Sequence, residues 1–150
     1  MAIPARKIFR INQADEDERI AVGIDLPLVK ASGAPFPQTR LTIDAAKANL
    51  KNLILTRKGE RPFHPELGTS IYDFLFDPNM DEMLVNIEEE INNAIAKFLP
   101  YLIVTDLIVA VADQSYGFSD NFNGVRISIS FTLAGNRFDE QSIVVVIGAE

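Results

Sequence analysis

The sequence contains no cysteine, no tryptophan and a single histidine, His64, among its 150 residues. Without cysteine the chain can form no disulfide, no thiolate metal site and no cysteine nucleophile. With one histidine it can build no site with several histidine ligands, and any Ser-His-Asp triad would have to use His64. We interpret His64 as a loop residue between two prolines, and we expect no metal and no cofactor.

The chain also lacks a basic excess and a long apolar run. Its formal net charge is -7, which disfavours nucleic-acid binding because proteins neutralise phosphates with clustered lysines and arginines. No segment approaches the ~20 apolar residues that cross a bilayer, and residues 1–10 contain no signal-peptide core. We therefore predict no nucleic-acid partner and no membrane span.

The composition that remains is typical of one globular domain. Hydrophobic residues make up 47% of the chain and charged residues 23%, values that disfavour disorder and fibrous repeats. A chain of this length can bury a core without disulfides or metals. Residues 1–40 are rich in proline and show no helical pattern, so we predict an extended N-terminal arm over residues 1–40 and a folded domain over residues 41–150.

The folded domain begins with helical patterns. Apolar residues recur every three or four positions after Thr42, which we predict to cap the first helix, and again over residues 81–98. A short helix capped by Thr69 is predicted between them, with Tyr72 and Phe76 adding aromatic bulk to the core.

Three strand patterns follow the helices. Residues 101–112 are apolar on both alternating sets, which predicts a strand covered on both faces. Residues 125–133 alternate apolar and polar, which is typical of a strand with one wet face. Residues 142–147 are a continuous apolar run, so this strand is covered on both faces or forms an association edge. The order predicts a single α+β domain: two main helices and a short helix packed on a small, mainly antiparallel sheet.

Two acidic runs carry no predicted site. Residues 15–18 read Asp-Glu-Asp-Glu, and residues 88–90 read Glu-Glu-Glu on the side of the long helix away from its apolar stripe. Runs of like charge usually belong to solvated surfaces. We interpret the first run as a solvated turn and the second as a solvated helix face.

Residues 53–77 join the first helix to the short one through residues that constrain the backbone. Gly59 can adopt a positive φ where the helix must stop, and Pro62 and Pro65 each fix their own φ and restrict the preceding residue. We interpret this stretch as a rigid elbow, held by pairing of Glu60 with the basic residues around it. Those basic residues are Arg57, Lys58 and Arg61.

An enzymatic interpretation requires two carboxylates on either side of a sugar bond, as in glycoside hydrolysis. Glu60, Glu66 and Asp73 are candidates by position alone. Nothing in their spacing sets two of them at a catalytic separation, and carboxylates are common in loops. Structural pairing is the favoured interpretation, and we predict no catalytic residue.

Residues 55–68, Leu-Thr-Arg-Lys-Gly-Glu-Arg-Pro-Phe-His-Pro-Glu-Leu-Gly, followed by Leu75 and Phe76, resemble the baseplate wedge proteins of contractile phage tails. These proteins are also called sheath initiators, are sometimes labelled lysozyme-like, and have relatives in type six secretion baseplates. The resemblance extends over residues 42–133, with helices and strands in the family's order. The positions that match the family's pattern are Thr56, Gly59, Glu60, Arg61, Pro62, Pro65, Gly68, Leu75 and Phe76.

The sequence departs from this family at the end of the long helix. There the family carries a Glu-Pro-Arg triplet associated with wedge assembly, whereas this chain has Leu99, Pro100 and Tyr101. Both charges are absent, so the resemblance no longer implies a charge-paired contact at this position. An apolar contact through Leu99 and Tyr101 is the expected replacement.

The resemblance implies a non-enzymatic structural subunit of the virion, assembled in the host cytoplasm and present in six copies per baseplate. Its implied partners are other baseplate wedge proteins and tail sheath subunits. The implied surface on the elbow consists of Arg57, Glu60, Arg61, Pro62, Pro65 and Gly68.

Sheath binding in the family implies strand addition at a sheet edge, where main-chain hydrogen bonds supply affinity. Residues 20–28 of the arm are one candidate edge, and the other consists of Ile143, Val144, Val145, Val146 and Ile147. The alternative is that both strands pair within the domain's own sheet. Two other functions stay open: a peptidoglycan hydrolase (muramidase) of the tail, and another tail or capsid scaffold protein.

Overall fold

A computed structural model of the chain describes residues 15, 17, 19–25, 28, 36–76, 79–111, 123–134 and 136–149. The elements in chain order are β1 (Gly23–Ile24), β2 (Gln38–Thr39), α1 (Thr42–Leu55), α2 (Ile71–Phe74), α3 (Met80–Phe98), β3 (Leu102–Val111), β4 (Asn123–Leu133) and β5 (Asn136–Ala149). Every described strand pair is antiparallel, so the predicted α+β class is confirmed. The sequence between the first two strand patterns, residues 114–124, is rich in glycine, serine and asparagine and predicts a loop; most of it lies outside the described residues. The chain divides into two compact units between Ala48 and Asn49, inside α1.

In the first unit, the described residues of the arm form one short two-stranded ribbon. β1 pairs with β2 over two residues, and the Asp25 amide donates to the Pro37 carbonyl at 2.9 Å. Gly23 lies so close to its neighbours that an added Cβ would meet the Thr39 hydroxyl at 2.9 Å and the Ala45 Cβ at 3.1 Å. A side chain at Gly23 would therefore push the two-stranded ribbon away from the first turn of α1.

Asp15 is buried, with 5% of its surface exposed, so the prediction of a solvated turn over residues 15–18 is wrong for this residue. Its Oδ1 accepts hydrogen bonds from the Thr42 amide at 2.7 Å and from the Thr42 hydroxyl at 2.8 Å. A carboxylate at a helix N-terminus satisfies an otherwise unpaired amide and interacts favourably with the helix dipole. Thr42, predicted as the cap, is instead the first helical residue, and its cap comes from far earlier in the chain.

The second unit is built on the sheet β3-β4-β5, with β4 at the centre. The alternation in β4 places its apolar set on one face, where each side chain is at most 1% exposed; this set is Val125, Ile127, Ile129 and Phe131. α3 packs beside β3, and its buried stripe includes Ile87 and Ile91, both 0% exposed. Burying such aliphatic side chains stabilises the fold by about 1.5 to 3 kcal/mol each. The core of this unit therefore lies on the α3 side of the sheet.

The opposite face of the sheet is exposed, so the prediction that residues 101–112 are covered on both faces is wrong. Ile108 on β3 and Val144 on β5 are 53% and 45% exposed, and they flank Ser128 in register across β4. Successive side chains of a strand point to opposite faces. An apolar residue in the outward set therefore stays in water wherever no second layer covers it.

The long helix α3 lies where its apolar pattern predicts it, whereas the short helix α2 differs from its prediction. α3 begins one residue earlier than predicted and ends where predicted, and the Leu99 amide closes it by donating to the Ile95 carbonyl at 2.8 Å. The N-cap of α2 is Ser70 rather than Thr69, and Ile71, 0% exposed, fills the core. Phe76 is 77% exposed, so its predicted place in the core is wrong.

Within the described part of the chain, no helix is both long and apolar enough to cross a bilayer. The same residues contain no group of three or more His, Cys, Asp or Glu side chains arranged to hold a metal ion.

Candidate functional site

Within the predicted elbow of residues 53–77, residues 56–70 form a closed loop at the end of α1. The name elbow refers to this loop from here on. The Thr69 amide donates to the Thr56 carbonyl at 2.9 Å, and the Lys58 amide donates to the Thr69 carbonyl at 3.2 Å. These bonds form a short parallel bridge between Arg57 and Thr69. The buried Thr69 hydroxyl donates to the Ile54 carbonyl at 3.0 Å, which satisfies one of the carbonyls at the end of α1. The two ends of the loop are therefore fastened to each other and to the helix.

Two glycines make this closed shape possible, for different reasons. Gly59 has φ 85° and its amide donates to the Pro65 carbonyl at 2.7 Å, while the space where its Cβ would lie is open. Gly68 has φ 120°, and a Cβ there would overlap the Thr56 carbonyl oxygen and lie 3.0 Å from the carbonyl carbon of Arg57. Gly59 provides a turn, whereas Gly68 permits a close approach of two backbone segments.

Glu60 holds the turn through the backbone. Its Oε2 accepts a hydrogen bond from the Arg57 amide at 3.0 Å, and the Glu60 amide donates to the Arg57 carbonyl at 3.2 Å. The basic side chains have other partners: Arg61 Nη2 donates to Asn52 Oδ1 at 3.0 Å, and the Arg57 guanidinium lies 3.9 Å from the centre of the Tyr72 ring. The predicted pairing of Glu60 with basic side chains is thus replaced by a backbone hydrogen bond and a cation–π contact.

Glu90 on α3 fastens the elbow to the long helix. Its Oε1 lies 2.5 Å from Lys58 Nζ and accepts a hydrogen bond from the Ser70 amide at 3.1 Å. Its side chain is only 16% exposed, so the interpretation of residues 88–90 as a solvated face is wrong for Glu90. Next to this contact lies an open groove of about 240 Å³. The groove is lined by Lys58, Glu66, Gly68, Glu90, Asn93, Ala94, Lys97 and Phe98.

Phe63, at the tip of the elbow, is a residue that sequence reasoning did not select. Its φ is 73°, and among the described residues it is the only residue other than glycine with a positive φ. The left-handed conformation costs an L-residue about 1 to 2 kcal/mol. Its side chain is nevertheless 97% exposed. One feature of the sequence could have identified Phe63: it is an aromatic residue in a turn, and it belongs to no periodic apolar pattern.

The other predicted residues of the elbow fall into two groups. Pro62 and Pro65 are exposed on either side of His64, which is exposed as well. Gly68 is buried and serves the loop closure. The structure thus brings the predicted elbow residues into one loop, with the exposed prolines at its surface and Gly68 inside it.

The triplet at the end of α3 is split between core and surface. Leu99 is 8% exposed and belongs to the core, whereas Pro100 is exposed and Tyr101 is 38% exposed. The Tyr101 hydroxyl accepts a hydrogen bond from Asn49 Nδ2 at 3.2 Å, and the Tyr101 carbonyl accepts from the Ala134 amide at 2.9 Å. Any surface contact at this position is therefore available to Pro100 and Tyr101 and not to Leu99.

The candidate edge on β5 is divided in the same way. Ile143, Val145 and Ile147 are at most 8% exposed and form part of the core, while Val144 and Val146 are 45% and 37% exposed. β5 pairs with β4 on one side, and no described strand lies along its other edge. Among the described residues of the arm's candidate edge, Gly23–Ile24 is strand, and it pairs with Gln38–Thr39.

The fold of this chain recurs in solved structures of other proteins. The chain is similar to a protein of the anti-feeding prophage baseplate, with a TM-score of 0.60 and 24% identity over 77% of this chain and 86% of that one. It is also similar to a putative tail lysozyme from Geobacter sulfurreducens, with a TM-score of 0.57 and 19% identity over 70% and 87% of the two chains. A chain of the type VI secretion system baseplate complex is similar as well, with a TM-score of 0.53 and 13% identity over 72% of this chain and 93% of that one. At these identities the likenesses show a shared fold and no more.

The family follows from the sequence comparisons. The profile of the family described as "Baseplate wedge protein gp25" matches residues 43–137, more than half of the chain, and the chain belongs to that family. The baseplate wedge protein gp25 of Enterobacteria phage T4 is 38% identical over 61 residues, which are 40% of this chain and 46% of that protein. The chain thus spans about half the length of this curated relative. The resemblance inferred from residues 55–68 is confirmed.

Proposed function

We propose that this baseplate wedge family member is a structural, non-enzymatic subunit of the virion that offers the free edge of β5 to a tail sheath subunit. The observation that carries the proposal is that β5 pairs with β4 on one side and, among the described residues, with no strand on the other. A free edge presents unpaired backbone N–H and C=O groups. An extended segment of another chain satisfies these groups by adding a strand, and its side chains select the register.

The two edges of the sheet differ in how open they are to pairing. β3, at one edge, has a break in register between Val104 and Asp106 and exposes the Asp106 carboxylate. Bulges and charges on an edge strand disfavour pairing with another chain. β5 keeps its register with β4 from Ala149 back to Gln141, and residues 141–149 contain no proline and no charged side chain. The β5 edge is therefore the one suited to strand addition.

The experiment places lysines on the outward set of β5 without touching the core. Val144→Lys and Val146→Lys, combined in one chain, keep the buried Ile143, Val145 and Ile147 in place. Lysine on an edge strand opposes strand addition. We expect tails with intact baseplates and little or no sheath, counted by electron microscopy. Deleting residues 142–150 would test the proposal less well, because it removes three core side chains together with the edge.

Ile108→Lys is the matched control. Ile108 is exposed on the same face of the sheet and lies in register with Val144 across Ser128, but it belongs to the opposite edge. We expect this variant to assemble sheath normally. Normal sheath on the double lysine variant, or equal loss in both variants, would refute β5 as the sheath-binding edge.

We infer that the remaining surface binds other baseplate wedge proteins, in six copies per baseplate assembled in the host cytoplasm. Two exposed regions support this inference: the elbow and the end of α3 at Pro100 and Tyr101. Backbone hydrogen bonds hold both regions, and a surface ordered before binding loses less conformational entropy on binding. The absence of the family's two charges at residues 99 and 101 favours a contact at Pro100 and Tyr101 that does not depend on ion pairs.

The proposal of a non-enzymatic subunit is supported by the positions of the candidate carboxylates. Glu60, Glu66 and Asp73 are all exposed, whereas the general acid of a glycosidase is usually enclosed by apolar groups. Glu60 is bound to the Arg57 amide, and Glu90, which shares the groove with Glu66, is bound to Lys58. Glu60 and Glu90 therefore hold the elbow together.

A further inference from the structure

The tip of the elbow carries the most exposed large apolar side chain of the described residues, the 97% exposed ring of Phe63. A single exposed apolar residue is ordinary on a protein surface. Phe63 differs because its backbone is strained as well, with φ 73°. Since the ring is exposed, contacts within the chain do not compensate the strain. Strained residues that the surrounding structure holds in place are found at binding and catalytic sites.

The loop restricts the backbone at Phe63. The His64 amide donates to the Arg61 carbonyl at 3.3 Å, and the Gly59 amide donates to the Pro65 carbonyl across the base of the tip. Pro62 and Pro65 further restrict the backbone on either side of Phe63. A loop whose backbone is ordered before binding loses less conformational entropy when it binds a partner.

Two arginines belong to the same loop as Phe63. The Arg61 guanidinium donates to Asn52 Oδ1, a neutral amide oxygen, and the Arg57 guanidinium lies over the neutral Tyr72 ring. Of the two glutamates three residues from Phe63, Glu60 directs its Oε2 to a backbone amide, and Glu66 is exposed. On a chain of net charge -7, the elbow therefore carries two arginines whose observed partners are neutral groups.

We propose that Phe63 anchors the elbow to a neighbouring baseplate protein, its ring entering an apolar pocket whose rim carries carboxylates that bind Arg57 and Arg61. Aromatic and arginine side chains are the residue types that most often dominate binding energy at protein interfaces. This inference rests on the proposed function, in which the chain is a structural baseplate subunit. It adds the contact residue and the chemistry of the partner's surface.

The decisive variant is Phe63→Gly, because glycine accepts φ 73° without strain. The variant should keep or raise the thermal stability of the chain while weakening its binding. The probe is a purified baseplate assembled without this chain and titrated with the fluorescently labelled chain. We expect the apparent Kd to rise by about 30-fold or more, the effect of removing a buried aromatic anchor. Phe76→Ala, a control at a second exposed aromatic residue, should change the Kd by less than about threefold.

A second measurement identifies the surface that Phe63 meets. p-Benzoylphenylalanine at position 63 should cross-link, in the assembled baseplate, to an apolar residue of another baseplate protein that has acidic residues nearby. Arg61→Gln should slow association and reduce its dependence on salt. Unchanged binding by Phe63→Gly would overturn the proposal. So would a cross-link to a second copy of this chain, or binding of the free chain through Phe63 to anionic phospholipid vesicles.

The experiments test the Phe63 contact and the β5 sheath edge independently. If the double lysine variant on β5 loses sheath while Phe63→Gly binds normally, the anchor is wrong and the sheath edge stands. If Phe63→Gly fails to enter baseplates while the lysine variant assembles sheath, the anchor stands and the sheath edge is wrong.

Discussion

Gly68→Ala should destabilise the chain by about 3 to 5 kcal/mol, much more than the same substitution at Gly59. An alanine at φ 120° is strained by about 1 to 3 kcal/mol. Its Cβ would also overlap the Thr56 carbonyl oxygen, a backbone atom that cannot rotate away. Relieving the overlap separates the strands of the bridge and stretches the Thr69 to Thr56 hydrogen bond, which costs about 1 kcal/mol more. The buried Thr69 hydroxyl would move away from the Ile54 carbonyl, at a similar cost.

Gly59→Ala is the matched control, because Gly59 also has a positive φ but has open space around its Cβ position. Only the backbone strain applies there, about 1 to 2 kcal/mol. Urea unfolding followed by circular dichroism gives both free energies, and the melting temperature should fall by roughly 10 °C for Gly68→Ala. Equal effects at the two glycines, or a loss below about 1 kcal/mol at Gly68, would refute the close-approach argument.

Two further predictions follow from contacts in the structure. Asp15→Ala should destabilise the start of α1 by about 1 to 2 kcal/mol, because the Thr42 amide and hydroxyl lose their acceptor. We expect faster hydrogen exchange in the first turn of α1, and a smaller loss of stability in Asp15→Asn. Unchanged exchange in Asp15→Ala would contradict the cap. The purified chain should not clear peptidoglycan, since Glu60 and Glu66 are exposed and unenclosed; clearing that Glu60→Gln or Glu66→Gln abolishes would contradict the structural role.

The amino-acid sequence by itself determined the elements whose information is local. The three-and-four spacing of Leu84, Ile87 and Ile91 was sufficient to predict α3 to within one residue. The alternation over residues 125–133 predicted the central strand in the same way. The glycines and prolines of residues 55–68 indicated a constrained turn, because backbone restriction depends on the residue itself and its neighbour. The same stretch of sequence indicated the family.

Tertiary structure decided everything that depends on a distant partner. Asp15 belongs to an acidic run typical of solvent, yet it is buried because the N-terminus of α1 supplies two donors. Glu90 likewise belongs to an acidic run, and it is enclosed because the elbow brings Lys58 and the Ser70 amide to it. Hydropathy patterns report neither contact, since pairing across the fold leaves no periodic trace.

Tertiary structure also decided which apolar residues are exposed. Val144 and Ile108 have side chains as apolar as their buried neighbours, and they stay in water because no described element covers that face of the sheet. Phe63 is exposed because the elbow is closed at its base, which turns the tip outward. Composition specifies which side chains gain free energy from burial. Only the arrangement of strands and loops decides which of them are left for a partner to cover.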